Sequence, residues 1–403
     1  MSRVWRTWAV LVLFALGTSL ITPLIPLYQD RLGFSDTVVT LFLGCYVVAL
    51  VPSMLTLGQV SDRIGRRAVL LGAIATLAVA QVILITEPDL TGLLVARAIQ
   101  GLATGAFFGT CTAFLVDAAP LGRMGFIAVL GSVSVRTGLG FGPGIGGVIA
   151  QYSDTPLRLP FELHLIALAV AAGLVVSLPE TVTVRSRRPL TLRLEVPAAE
   201  REVFWRVLVP SGALFSLFDG VALSLIPVFL VRTLGVDNYA LVGAAGFLVL
   251  VSGAASQLVF PRLPPAPAIG WGLAAASVAS VGVVLSAPAE SAPLALCSVA
   301  ATGAAAGLVF KGGLDLCTQI APVQDRGKLM SSYYVACYLG GFSVPLLVIG
   351  VLSDLIGLTA ALAILSAVAA LGATWTWMVG LRSLSGLAAP APATAALSHP
   401  GAE

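Results

Sequence analysis

Five charged side chains interrupt segments that are otherwise apolar, and they are where this chain could do chemistry. Asp219 lies in a hydrophobic run from about 205 to 231, roughly 20 Å from its start at 1.5 Å per residue. A carboxylate is costly to keep charged in a low-dielectric medium, the property that lets a group take up and release protons. Arg136 sits at comparable depth in another run, where it can pair with Asp219 or present a positive charge to a bound molecule. Arg97 lies about 10 Å inside a third run. A charge there costs about 2.5–3.5 kcal/mol on insertion scales, so it is expected to face a water-filled cavity rather than snorkel to the surface. Lys311 and Asp315 are four residues apart on one helix face and can satisfy each other. Two roles are open to Asp219: a proton-coupling carboxylate, which is favoured, or a permanent ion pair with Arg136 or Lys311.

Other chemistries lack their residues. There is no Gly-x4-Gly-Lys-Ser/Thr phosphate loop, so ATP is not the expected direct energy source. No zinc spacing, nucleophile elbow or Gly-rich dinucleotide motif occurs, so neither an enzyme nor a cofactor is expected, nor a metal site. Cys45, Cys111, Cys297, Cys317 and Cys337 are an odd, scattered set inside apolar runs and read as packing. His164, with Glu162 nearby, reads as a packed or interfacial histidine.

The elements that position these residues follow from composition. Of 403 residues, 58% are hydrophobic and 10% charged, and mean hydropathy is +1.00. Soluble domains carry about 25% charged residues, so lipid is the expected solvent. Apolar stretches of about 20 residues read as spanning helices, and twelve occur, near 8–29, 36–57, 68–86, 90–116, 125–150, 160–178, 205–231, 238–260, 268–287, 292–317, 328–352 and 356–381. The runs lack the alternation of a barrel strand. With both termini cytoplasmic, sixteen Lys and Arg fall in cytoplasmic segments, and Arg31, Arg158 and Arg232 in outer loops. That bias sets the topology and accounts for the net charge of +3 without nucleic acid as a partner. The start imitates a signal peptide, but the long run reads as an uncleaved first span. Abundant Arg over Lys suggests a GC-rich bacterial genome.

The polar stretch 179–204 divides the spans six and six: a first bundle at 1–178, a cytoplasmic linker, a second bundle at 205–382, and an Ala- and Pro-rich tail at 383–403 expected to be disordered. The halves repeat. Leu24-Ile25-Pro26 recurs as Leu225-Ile226-Pro227, Gly101 and Gly105 as Gly303 and Gly307, and Gly138 and Pro143 as Gly340 and Pro345. The offset stays at 201–202 residues, the mark of one duplication.

Four motifs sit on these spans in order: Gly17 with Pro23 and Pro26; the loop from Gly58 through Asp62, Arg63, Gly65, Arg66 and Arg67; Arg97 with Gln100, Gly101 and Gly105; and Gly138, Gly142, Pro143, Gly146 and Gly147. In the loop, Gly58 is expected to allow a close approach and Gly65 a tight turn. Asp62 can face helix N-termini, and Arg66 can grip Asp117 at the end of span 4 through its planar fork. The matching loop of the second half, from Pro261 to Pro265, has no acid. Gly138, Gly142 and Gly146 share one helix face, and span 8 offers a small-residue face at Gly243, Gly246 and Gly253 for a tight contact. The motif's usual leading glycine is Val129 here, and Pro179-Glu180 serves only to fix register.

Together these motifs resemble the major facilitator superfamily (MFS) over essentially the whole chain, and within it the twelve-span drug:proton antiporters. The resemblance implies an all-α integral membrane fold of twelve transmembrane helices in two pseudo-symmetric six-helix halves. It implies a latch at Gly58–Arg67, a role for Arg97 in proton transfer, and packing of spans 5 and 8 across the halves. A cavity between spans 1, 4, 5, 7, 10 and 11 would include Thr18, Gln100, Lys311, Asp315 and Tyr338. The expected function is proton-coupled efflux of small organic compounds by alternating access, from a monomer in the bacterial inner membrane whose partners are substrate, protons and lipid. An uptake carrier for a sugar, organic acid or other metabolite is the alternative, and a non-transporting sensor or scaffold a third. Many multidrug members carry an acid in span 1; here the position opposite Asp219 is Thr18. The charges at the centre do not favour lipophilic cations.

Overall fold

The computed structural model describes residues 3–117, 124–182, 196–322 and 325–380, and among them there is no strand. Arg123, Arg185, Arg187, Arg188, Arg193, most of the linker and the tail lie outside the described residues. Eleven helices are long and apolar enough to cross a bilayer, and a 29-residue helix at Met124–Tyr152 stands with them. In chain order they are α1 (Arg3–Leu32), α2 (Asp36–Ile64), α3 (Arg66–Ile85), α4 (Leu90–Asp117), α5 (Met124–Tyr152), α6 (Leu159–Val176), α7 (Ala198–Thr233), α8 (Tyr239–Val259), α9 (Pro265–Ser286), α10 (Ala292–Ile320), α11 (Arg326–Ile356) and α12 (Leu358–Met378). Each is apolar along its length because lipid, or another helix, covers every face.

Proline shapes three of them differently. In α1, Pro23 and Pro26 remove backbone donors, and the chain tightens into a 3-10 turn at Thr22–Leu24 before resuming at Ile25. α5 runs straight through Pro143. Its repeat counterpart α11 instead breaks at Phe342 and Ser343, where Pro345 has no N–H to donate to the Gly341 carbonyl and its ring crowds that group.

The halves pack alike. In the first, α1 meets α5, α2 meets α4, and α3 meets α4 and α6; in the second, α7 meets α11, α8 meets α10, and α9 meets α10 and α12. Two seams join the halves, α5 on α8 and α2 on α11, and they are images of one another in the repeat. The glycines show the same symmetry. A Cβ on Gly101 would fall 2.0 Å from the Tyr46 carbonyl of α2, and one on Gly303 would fall 2.1 Å from the Val249 carbonyl of α8.

The interiors of the halves differ. The second holds a cavity of about 30 Å³, lined among others by Val283, Val299, Thr302 and Ser366. Subtracting 202 from those numbers gives Gln81, Arg97, Gln100 and His164, all buried. The positions that line the cavity are thus apolar or hydroxylic in the second half, and their equivalents in the first are strongly polar.

Candidate transport site

Asp219 on α7 and Arg136 on α5 meet at mid-depth between the halves. Both are buried, at 4% and 7% exposure. Arg136 Nη1 lies 3.0 Å from Asp219 Oδ2, and Nη2 donates to Oδ1 at 3.4 Å. This is the fork geometry a carboxylate accepts. The guanidinium lies over Gly253 of α8, where a Cβ would come within 2.6 Å of Nη2. Arg136 Nε has no acceptor. The partner of Asp219 is therefore Arg136 and not Lys311. Lys311 Nζ instead binds Asp315 Oδ2 at 2.5 Å and the Leu263 carbonyl at 3.2 Å, in the connection between α8 and α9. Lys311 and Asp315 thus leave the set of central candidates.

Arg97 does not snorkel to the surface; it is 7% exposed. Nη1 donates to the Thr18 carbonyl at 2.9 Å and to Gln100 Oε1 at 2.8 Å, and Nε to the Phe42 carbonyl at 3.4 Å. The ring of Tyr46 lies 5.0 Å below the guanidinium. Every acceptor is neutral. Thr18 turns its hydroxyl back to the Ala15 carbonyl, so its backbone, not its side chain, serves the site. Tyr338 of α11 lies within Coulombic reach of both Tyr46 and Arg136. Its ring packs 5.8 Å from Phe342, and Tyr334 stands 5.8 Å from Phe310. Aromatic side chains of the second half thus lie near Arg136 and Tyr46.

The glycine motif of α5 serves two neighbours. The face Gly138, Gly142 and Gly146 packs on α1, not on α8: a Cβ on Gly142 would lie 2.3 Å from the Leu16 carbonyl, and one on Gly146 would lie 2.6 Å from the Leu20 carbonyl. The contact with α8 falls to Pro143 and Gly147. A Cβ on Gly147 would lie 2.4 Å from the Tyr239 carbonyl, and one on Gly243 would lie 2.3 Å from the Pro143 carbonyl. Gly17 makes room for His164, whose ring would sit 1.8 Å from a Cβ there. His164 Nε2 lies 3.0 Å from the Leu13 carbonyl.

At the end of the bundle where α1 begins, the proximal end, the α2–α3 loop is clamped from two sides. Arg66 Nη1 lies 2.6 Å from Asp117 Oδ2 on α4, and Nη2 3.9 Å from Asp62, which is half exposed. Glu180, beyond the end of α6, accepts from the backbone N–H groups of Arg66 at 3.0 Å and Arg67 at 3.1 Å. Its partial burial favours the neutral acid, but four backbone N–H donors outweigh that and hold the carboxyl below the usual range. Glu180 therefore does more than fix register: it caps α3. Gly65 turns the chain at φ 106°, where a side chain is strained. Among the described residues nothing lies within 4 Å of a Cβ on Gly58, so none of them makes the close approach expected there.

At the opposite, distal end the halves are tied together. Asp354 of α11 accepts from the Asp36 and Thr37 backbone N–H groups at 2.9 and 3.0 Å, capping α2, while Ser353 donates to Asp36. Arg232 reaches Asp30 at 3.3 Å, and Tyr239 N donates to Gln151 at 2.6 Å.

A family model described as Major Facilitator Superfamily matches residues 7–345. The chain is a member of the major facilitator superfamily. It is 24% identical over 210 residues to the quinolone resistance protein NorA of Staphylococcus aureus (strain MRSA252), covering 50% of this chain and 51% of that protein. It is 30% identical over 168 residues to an uncharacterized MFS-type transporter of Mycobacterium tuberculosis (strain CDC 1551 / Oshkosh), covering 39% and 23%. The chain spans about half the length of NorA in that match, and less of the mycobacterial protein. Among solved structures it resembles a bacterial homolog of the human lysosomal transporter Spinster, with TM-score 0.74 and 16% identity over 95% of this chain and 97% of that one. It also resembles a POT family transporter in complex with 5-aminolevulinic acid, with TM-score 0.79 and 14% identity over 94% and 96%. At these identities the shared property is the fold. The protein is thus a multi-pass membrane protein of the MFS.

Three residues of this MFS site escaped the sequence reading. Gly253 makes room for Arg136, and only its place in a small-residue face marked it. Tyr46 and Asp354 carry no motif; their importance is the neighbour they meet on another helix.

Proposed function

We propose that this transporter is a proton-coupled exporter of small organic compounds, drugs or metabolites, working by alternating access as a monomer in the bacterial inner membrane. The observation that carries the reading is the buried Arg136–Asp219 pair, which joins α5 to α7 across the halves at mid-depth. Protonation of Asp219 removes the charge that holds Arg136 and frees α5 from α7. Proton binding thereby acts on a contact that must change when the halves rock. With both termini cytoplasmic, as the Arg bias favours, the inter-half bonds at Asp36, Asp30 and Gln151 close the outer face. The similarity to NorA over half its length supports efflux. The Arg66–Asp117 ion pair and the cap from Glu180 serve as the cytoplasmic latch.

The test uses inverted membrane vesicles with an acid interior and a pH-sensitive dye. Candidate compounds are added singly to wild type and Asp219→Asn. Proton release triggered by substrate in wild type alone is the expected result. Equal proton-coupled transport by a correctly inserted Asp219→Asn protein would defeat the assignment. Proton uptake in the same direction as substrate would replace export with a symport carrier.

A further inference from the structure

We infer that the transported molecule is an organic anion, a carboxylate on an apolar or aromatic body, and that Arg97 holds its charge. The inference rests on the transport reading above but not on the direction of transport or on the role of Asp219.

The argument begins with the charge inventory of the centre. Arg136 and Asp219 neutralise each other at 3.0 Å. Lys311 and Asp315 neutralise each other away from the centre. Arg97 remains: it is buried, and among the described residues it has no carboxylate partner. The centre therefore carries one uncompensated positive charge in a region of low dielectric, where such a charge is unfavourable without an anion. A lipophilic cation would be repelled there; an anion would complete the set.

The local geometry says how an anion would be held. Two of the three guanidinium nitrogens, Nε and Nη1, are committed to carbonyl oxygens of Thr18 and Phe42 and to Gln100 Oε1. These bonds fix the plane of the group without spending its charge. Nη2 has no acceptor among the described residues. Gln100 Nε2, fully buried beside it, also lacks a partner. The two unused nitrogens are donors on adjacent turns of α4, the arrangement that grips the two oxygens of a carboxylate. Tyr46 lies beneath the guanidinium, and Tyr338 of the second half lies near Tyr46. Aromatic faces next to a fixed cation suit a molecule with a flat or apolar body and one anionic end.

The experiment is direct binding to the purified full-length protein in detergent, by titration calorimetry. The probes are 1-naphthoate and decanoate, their methyl esters, and tetraphenylphosphonium. At least one carboxylate is expected to bind ten- to a hundredfold more tightly than its ester, the effect of one charge-assisted hydrogen bond. Arg97→Gln should abolish that preference. Arg97→Lys, which keeps the charge and loses the fork, should retain a few-fold preference. The comparison of acid with ester in wild type needs no variant and stays decisive if Arg97→Gln does not fold. Tighter binding of the cation, equal binding of acid and ester, or binding of neither carboxylate would each overturn the inference. Carboxylate binding that persists in Asp219→Asn, alongside absent proton release, would reject the coupling proposal and leave this one standing.

Discussion

Removing one member of the Arg136–Asp219 pair should be worse than removing both. Asp219→Leu leaves the Arg136 guanidinium buried at 7% exposure with Nη1 and Nη2 stripped of their acceptors, while Nε already has none. Breaking a buried ion pair by deleting one partner costs about 3–5 kcal/mol, because the remaining charge is uncompensated. Arg136→Met leaves the Asp219 carboxylate in the same position and should cost a similar amount. The double variant replaces the pair with two apolar side chains and removes the buried charge altogether. Such exchanges are often neutral or stabilising by about 1–4 kcal/mol, so the double variant should be more stable than either single one. The assay is unfolding of the purified protein in mixed detergent micelles, with the four proteins compared as a double-mutant cycle. Additive losses, with the double variant the least stable, would show that the two side chains act independently and refute the pairing as an energetic unit. Proton coupling should be absent in all three variants, which separates the pair's role in stability from its role in transport.

Four further outcomes follow from the geometry. The Glu180 carboxyl is held below its ordinary range, so its contribution to the α2–α3 turn is complete above about pH 5 and lost as pH falls through its lowered value; Glu180→Gln should remove that pH dependence and speed hydrogen exchange at the Arg66 and Arg67 amides. Gly58→Ala should change stability by less than about 0.5 kcal/mol, since its Cβ meets none of the described residues, whereas Gly65→Ala, at φ 106° and facing the Glu180 carboxylate 2.6 Å away, should destabilise the loop and slow transport; side-by-side melting and transport assays decide. Gly243→Val should force α8 from α5, because even a Cβ falls 2.3 Å from the Pro143 carbonyl, and a cysteine pair engineered across that seam should then fail to cross-link. Asp354→Ala removes the cap on α2 and should raise the labelling rate of a cysteine placed at position 40 by a membrane-impermeant reagent; an unchanged rate would mean that the other distal contacts suffice for closure.

The sequence reading reached the fold because membrane solvation leaves few alternatives: uninterrupted apolar runs of this length must be helices, and a constant repeat offset places them in two equal halves. It reached Arg136 with Asp219, and Arg66 with Asp117, because charges in or beside a bilayer need partners and few were on offer. It failed where the answer depended on helix rotation. Gly138, Gly142 and Gly146 form a perfect face, but nothing in their spacing says whether α1 or α8 covers it. The charge of Arg97 demanded stabilisation; the chain supplies backbone carbonyls and an aromatic ring, acceptors that every sequence contains and none advertises. Glu180 was overlooked for a related reason: its partners are backbone N–H groups of a loop 113 and 114 residues away.

The two seams between the halves occupy equivalent places in the repeat and share a distal helix cap, but the cap is neutral on one and charged on the other. α5 meets α8 through Pro143, Gly147, Gly243 and Gly246, backbone against backbone, and at its distal end Gln151 accepts from the Tyr239 backbone N–H. α2 meets α11 at its distal end through Asp354, Ser353, Asp36 and Thr37, a set of bonds that holds only at one separation of the helices. A smooth apolar contact tolerates small rotations; a carboxylate capping a helix terminus is either in place or lost. Duplication would by itself have given two alike seams. Their divergence lies in the cap: the neutral Gln151 amide holds one backbone N–H of α8, whereas the charged Asp354 carboxylate holds two of α2, so the α2–α11 seam is the more strongly fastened of the two.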